Sequence, residues 1–185
     1  MLKEVYYFLK NPVYQKDENT AIHYRLTVFA KLLFLGLAFG IGIVVFNTIW
    51  ESFGIVDPNE HALNKAMDEM GLPLLGLMAI IAAPLFEEFI FRGPLVFFKN
   101  SKYFKLALYT SIVLFGAVHI SNFEITPTIL ILAPFLVAPQ LVLGAFASFI
   151  RIKFGLGWSI LLHACHSLIL FMPLLAAKLL DIPLE

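Results

Sequence analysis

Five stretches of this chain are each apolar over a length suited to crossing a bilayer, and that pattern leaves few folds open. A hydrocarbon core about 30 Å thick takes about 20 apolar residues as helix. Residues 26–50, 72–98, 104–120, 128–150 and 156–180 meet or approach that length. Backbone in lipid must satisfy its own hydrogen bonds, which leaves helices and closed barrels. No segment alternates apolar and polar residues as a barrel strand does. The expected fold is therefore all-α, a polytopic transmembrane bundle of about five spanning helices. Composition agrees: 60% of residues are hydrophobic and 14% charged, against about 45–50% and about 25% in soluble domains. A chain of 185 residues has no aqueous core large enough to hide that surface.

No repeat or linker interrupts the pattern. The expected organisation is an N-terminal cytoplasmic or interfacial segment, residues 1–25, followed by one transmembrane domain, residues 26–185. The first twenty residues are charged and broken, and lack the apolar run of a cleavable signal. They suit a short interfacial helix with Tyr6, Tyr7 and Phe8 near the headgroups.

Loop charges orient the bundle. Lys3, Lys10, Lys16 and Arg25 precede the first span. Glu51, Asp57, Glu60, Asp68 and Glu69 face Lys65 alone in the next loop. Lys99 and Lys102 follow the second span, Glu124 the third, Arg151 and Lys153 the fourth, and Asp181 and Glu185 the last. Basic loops fall on one side at every alternate turn, so the N-terminus is expected in the cytoplasm and the C-terminus outside. The 13 basic and 13 acidic residues cancel, leaving no basic excess for a nucleic acid. Cys165 is the single cysteine, which excludes an internal disulfide framework and a four-cysteine metal site.

Within the second span lies Pro84-Leu-Phe-Glu87-Glu88-Phe-Ile-Phe-Arg92-Gly93-Pro94. Each ionisable group near a helix centre costs about 2.5–3.5 kcal/mol on insertion. Three together cost on the order of 8–10 kcal/mol, comparable to the stability of a whole domain. Glu88 and Arg92, four apart, share a face and are expected to pair. Glu87 points about 100° away with no local partner, so it must face protein, water or a proton. Pro84 removes a backbone hydrogen bond one turn earlier, which predicts a kink or a local water.

Two histidine sites complete the set. Phe115-Gly-Ala-Val-His119 ends the third span, and Trp158-Ser-Ile-Leu-Leu-His163-Ala-Cys-His166-Ser167 lies in the last. Ser167 shares the His163 face, and His166 lies near it. Cys165 points away, as a packing residue would. A carboxylate and two imidazoles on three spans suit two chemistries. They can hold a zinc ion with an open position for water. They can equally serve without metal, the glutamate as general base on water and the imidazoles as donors to an oxyanion. Both lead to hydrolysis of an acyl bond. Rival signatures are missing: there is no His-Glu-x-x-His, no Gly-x-Ser-x-Gly, and no aspartate within a span.

At these residues the chain resembles the CPBP family, which groups type II CAAX prenyl endopeptidases with bacteriocin-processing and abortive-infection proteins. The family's Glu-Glu-x-x-x-Arg matches Glu87, Glu88 and Arg92, with Gly93 after them. Its Phe-x-x-x-His matches Phe115 and His119. Its His followed four residues on by Asn matches His163, with Ser167 in the asparagine position. The resemblance runs over about residues 72–170, the expected catalytic core. It implies an intramembrane endopeptidase, acting on a hydrophobic or lipidated peptide or protein. Glu87 would activate water, and His119 and His163 would bind metal or stabilise the oxyanion. Arg92 would pair with Glu88 and hold the helix. Glu87, His119 and His163 are the candidate zinc ligands under the metal route. Glu88, Arg92 and Ser167 complete the candidate site. Ser167 offers one hydroxyl donor where the family has an amide, and His166 is the candidate substitute. The same departure favours the alternative, a non-catalytic immunity or binding scaffold of the same fold. The expected setting is a multi-pass membrane protein, in the plasma membrane for a bacterial source, with lipid and peptide as partners and no nucleic acid.

Depth sets a test for the trio. At 1.5 Å per residue from the cytoplasmic ends, His163 lies roughly 10 Å in, Glu87 roughly 16 Å and His119 roughly 22 Å. Tilt, or a third helix starting near Leu108, is needed to bring them level.

The orientation is open to direct measurement. In a Cys165→Ser background, a cysteine at position 16 should react with an impermeant maleimide only after permeabilisation, and one at position 60 without it. The reverse pattern would reject the assigned sidedness.

Overall fold

The computed structural model describes residues 1–53 and 70–180. Its helices are α1 (Leu2–Lys10), α2 (Ile22–Ser52), α3 (Leu72–Leu77), α4 (Ala83–Phe91), α5 (Phe104–Val118), α6 (Pro127–Leu136), α7 (Ala138–Phe154) and α8 (Leu156–Leu179). A π-helical turn, Met78–Ala82, joins α3 to α4. Two 3-10 turns, Gly93–Phe98 and His119–Asn122, follow α4 and α5. No strand occurs among the described residues. Five segments are long and apolar enough to cross a membrane: Ile22–Ile43, Leu72–Phe98, Phe104–Asn122, Pro127–Phe154 and Leu156–Ala176. The expected all-α bundle with five spans is what the chain forms. Most of the acidic loop, from Asp57 to Glu69, and the tail acids Asp181 and Glu185 lie outside the described residues.

Boundaries shift where polar side chains start a helix before its apolar run. α2 begins at Ile22, four residues ahead of the hydropathy boundary. There Asp17 accepts the Asn19 N–H and Asn19 accepts the Ala21 N–H, both at 3.0 Å. These turns offer the free amides of a helix start their partners. Thr126 likewise accepts the Ile129 N–H at 3.2 Å and caps α6. The fourth span breaks at Val137, with Pro134 inside α6 and Pro139 in the first turn of α7.

α7 is the centre of the bundle. Leu143, Phe146, Ala147, Phe149, Ile150 and Ile152 on it are all buried, and α2, α5 and α8 pack around it. The outward faces keep exposed apolar side chains such as Phe34, Phe86, Phe89, Phe97 and Ile131, as surfaces that meet lipid do.

The N-terminal segment packs on this bundle as a strap. Val5 and Phe8 of α1 are buried, and the Phe8 ring meets Phe149 edge to face at 5.4 Å. The Tyr109 hydroxyl donates to the Leu9 carbonyl. The Asp17 N–H donates to the Lys153 carbonyl at 3.1 Å, and Arg151 donates to the Tyr14 hydroxyl at 3.2 Å. Tyr6 and Tyr7 stay exposed. Phe8 does not; it turns into the core.

Gly116 shows how close the helices come. A Cβ there would stand 2.4 Å from Leu141 Cδ2 and 2.9 Å from its Cγ. Crowding of this kind costs typically 1–3 kcal/mol. Gly116→Ala should therefore destabilise the detergent-solubilised protein by about 1–3 kcal/mol in a denaturant titration. Unchanged stability would show that α5 and α7 are looser than described.

Candidate active site

The motif helix is aimed by an irregularity upstream. Pro84 has no N–H to give the turn before it. The chain answers with the π turn, in which the Ala83 N–H reaches back to the Met78 carbonyl. One extra residue in a turn rotates everything after it by about 100°, so the turn decides which way Glu87 and Glu88 face. The kink expected at Pro84 takes this form. Downstream, Pro94 ends α4, and the Leu95 N–H turns to the Arg92 carbonyl. The freed Phe91 carbonyl accepts the Ser111 hydroxyl at 2.7 Å, tying α4 to α5.

Glu88 and Arg92 pair as expected, with Arg92 Nη1 3.2 Å from Glu88 Oε1 and both side chains fully buried. Arg92 makes no geometric hydrogen bond through its guanidinium. Its charge is met by Glu88 and by the face of Phe115, whose ring centre lies 3.9 Å from Cζ. Room for it comes from Gly144 on α7, where a Cβ would stand 2.9 Å from Arg92 Nη2.

Glu88 has a second role that spacing alone did not reveal. Its Oε1 also lies 3.1 Å from His163 Nδ1. A carboxylate paired with arginine accepts, so Nδ1 carries the proton and Nε2 is directed elsewhere. His119 is held the same way, with Nδ1 2.7 Å from the Phe115 carbonyl. A carbonyl only accepts, so here too Nδ1–H donates. The Phe115 ring stands between both imidazoles, 4.9 Å from His119 and 5.5 Å from His163.

Both Nε2 atoms converge on Glu87. Oε2 lies 3.8 Å from His119 Nε2 and 3.9 Å from His163 Nε2, with the Glu87 side chain 26% exposed. Oε2 itself is sealed and has no hydrogen-bond partner. The depth test is thus met, and not by a late third helix, since α5 starts at Phe104. The strap crosses the α7–α8 turn, bonded to the Lys153 carbonyl. The 3-10 turn Gly93–Phe98 rises about 2.0 Å per residue instead of 1.5 Å, which lengthens the path from the following loop to Glu87.

The remaining candidates lie beside this cluster. Ser167 is half-buried one turn beyond His163. Among the described residues, no hydrogen bond joins its hydroxyl to the cluster. His166 is buried against α2, where Cβ atoms at Gly36 and Gly40 would stand 3.5 and 3.7 Å from its ring. Cys165 is part-exposed and apart.

By donor type the trio suits zinc: a carboxylate oxygen and two Nε2 atoms, each imidazole braced through Nδ1. Among the described residues no group of three such side chains stands at metal-binding separations as placed here. The spacing is also too long for direct hydrogen bonds. One water bridging Glu87 and the imidazoles suits the gap.

The type II CAAX prenyl endopeptidase Rce1-like family matches residues 69–169. The chain belongs to that family. The match spans the motif helix, both histidine sites and α7, and leaves out α1 and α2. It is a protease family, and five spans make this member an integral multi-pass membrane protein. No curated protein and no solved structure matches the chain.

Breaking the buried pair from one side leaves an uncompensated charge, which costs about 3–5 kcal/mol. Arg92→Met alone should lower stability by about that much, and adding Glu88→Leu should restore much of it. A double variant no more stable than the single would refute the pairing as the source of the loss.

Proposed function

We propose that this Rce1-like protein is an intramembrane endopeptidase that hydrolyses a peptide bond in a hydrophobic or lipidated substrate, with Glu87 as general base. The observation that carries the reading is Glu87 Oε2 lying 3.8 and 3.9 Å from the two Nε2 atoms. A water in that gap donates one hydrogen to Glu87 and one to an imidazole lone pair, which orients its own lone pair outward. As the water oxygen attacks the carbonyl carbon, its proton passes to Glu87. The tetrahedral intermediate collapses when Glu87 returns that proton to the amide nitrogen and the C–N bond breaks. Water is consumed, and an acid and an amine leave.

The protein supplies the rest of the reaction's needs. Scissile peptide in lipid needs water brought through protein, and the 26% exposure of the Glu87 side chain leaves one edge of the cluster open while Oε2 itself is sealed. Glu88 holds the His163 ring, and Arg92 and Phe115 hold Glu88 and His119. The substrate class is read from the setting, since apolar walls within the bilayer suit a lipid-modified or apolar segment. A CAAX sequence carrying a prenylated cysteine is such a segment. Zinc bound by Glu87, His119 and His163 would supply Lewis-acid polarisation and a more acidic water. No step of the hydrolysis as written needs it.

Two results test the reading. Purified protein in liposomes should cleave an internally quenched peptide with a farnesylated CAAX terminus, and Glu87→Gln should abolish cleavage with yield and folding unchanged. An active Glu87→Gln variant would reject the mechanism. Cleavage should also survive exhaustive chelation. Loss on chelation with recovery on zinc, together with zinc missing from His163→Ala, would turn the histidines from water holders into metal ligands.

A further inference from the structure

The cluster built above is rich in acceptors and poor in donors. Glu87 is a carboxylate. With the imidazoles neutral, both Nδ1 protons are engaged, by the Phe115 carbonyl and by Glu88, so both Nε2 atoms offer only lone pairs. Attack of water on a carbonyl creates an oxyanion that must receive hydrogen bonds. No atom of the trio can give one without taking up a second proton.

The helix register brings a donor to this level. On α7, Gly144 faces Arg92 Nη2, Phe115 Cδ1 and Ile112 Cγ2, which a Cβ there would approach to 2.9, 3.1 and 3.7 Å. Gln140 is one turn earlier on the same face. One turn further from the cytoplasmic side, Arg92 is succeeded by Glu88 on α4 and Phe115 by His119 on α5. α7 runs the opposite way to α5, so Gln140 is displaced toward the same side. Gly116 is faced by Leu141 and Val137, so the first turn of α7 lies beside the last turn of α5. Side chains on a helix lean toward its N-terminus, which on α7 is the direction from Phe115 to His119. The break at Val137 puts Gln140 in the first turn of α7.

Gln140 is also an amide without a role in the fold. Its Oε1 is sealed with no hydrogen-bond partner, and no bond of its NH2 group occurs among the described residues. Whichever way the amide is turned, an unpaired polar group at membrane depth is costly and calls for a function. We propose that the Gln140 amide NH2 donates to the oxyanion of the tetrahedral intermediate, opposite the water held by Glu87. The inference rests on the peptidase reading and adds to it the donor that the trio lacks.

Gln140→Met keeps length and volume and removes the donor. In liposomes, with the quenched farnesylated CAAX peptide, kcat should fall about 10²–10³-fold, the usual effect of losing one oxyanion donor. KM should change less than about threefold, because the ground-state carbonyl needs the donor less than the transition state does. The melting temperature should hold, and Ser167→Ala should cost far less than Gln140→Met. Three results overturn the inference while leaving Glu87 in its role: an unchanged kcat, a lost kcat with lost thermal stability, or a larger loss in Ser167→Ala. A wild type that cleaves nothing would overturn the peptidase reading and this inference with it.

Discussion

The buried pair of Glu88 and Arg92 is the interaction on which the site depends. Neither side chain reaches solvent, so neither charge is tolerable alone. The structure meets this with one oxygen. Glu88 Oε1 faces both Arg92 and His163 Nδ1, so the charge that neutralises the arginine also sets the proton position on the histidine. The arginine and the imidazole thus share one acceptor oxygen. The cost of placing charge in a membrane thereby becomes the means of orienting the His163 ring.

Small residues and irregular turns support that pair. Gly144 leaves space for the guanidinium, Phe115 gives it a π face, and the π turn before Pro84 sets the rotation of the helix that carries it. Each is a local departure from a regular packed helix, and together they surround the Glu87 cluster. Away from it the packing is ordinary: apolar faces on α2, α5 and α8 close on α7, and exposed apolar side chains meet lipid. This division is familiar in membrane proteins, where polar groups inside the bilayer mark function and the surroundings obey hydropathy.

How far the sequence could be read depended on the range of the interaction. The spans were legible because hydropathy is a sum over adjacent residues. So was the Glu88–Arg92 pair, since both partners lie on one helix four residues apart. The convergence of Glu87, His119 and His163 could be proposed from residue type, but counting residues set them at different depths. That count took every helix as regular and every span as starting at the surface. The 3-10 turn after Arg92 breaks the first assumption, and it leaves no hydropathy signal. The burial of Phe8 is equally illegible in sequence, because it depends on Phe149 from a distant helix. The contact of Glu88 with His163 joins residues 75 apart, beyond any local rule. The place of Gln140 needed the register of α7 against α5, which only the folded bundle displays.

Glu88 fixes the tautomer of His163 and so turns its Nε2 lone pair toward Glu87. Nitrogen-15 NMR of histidine-labelled protein, with His163 assigned by its absence in His163→Gln, reads this directly. His163 should carry its proton on Nδ1, with Nε2 bare, and should lose that preference in Glu88→Gln. A His163 protonated on Nε2 in the wild-type protein would contradict it.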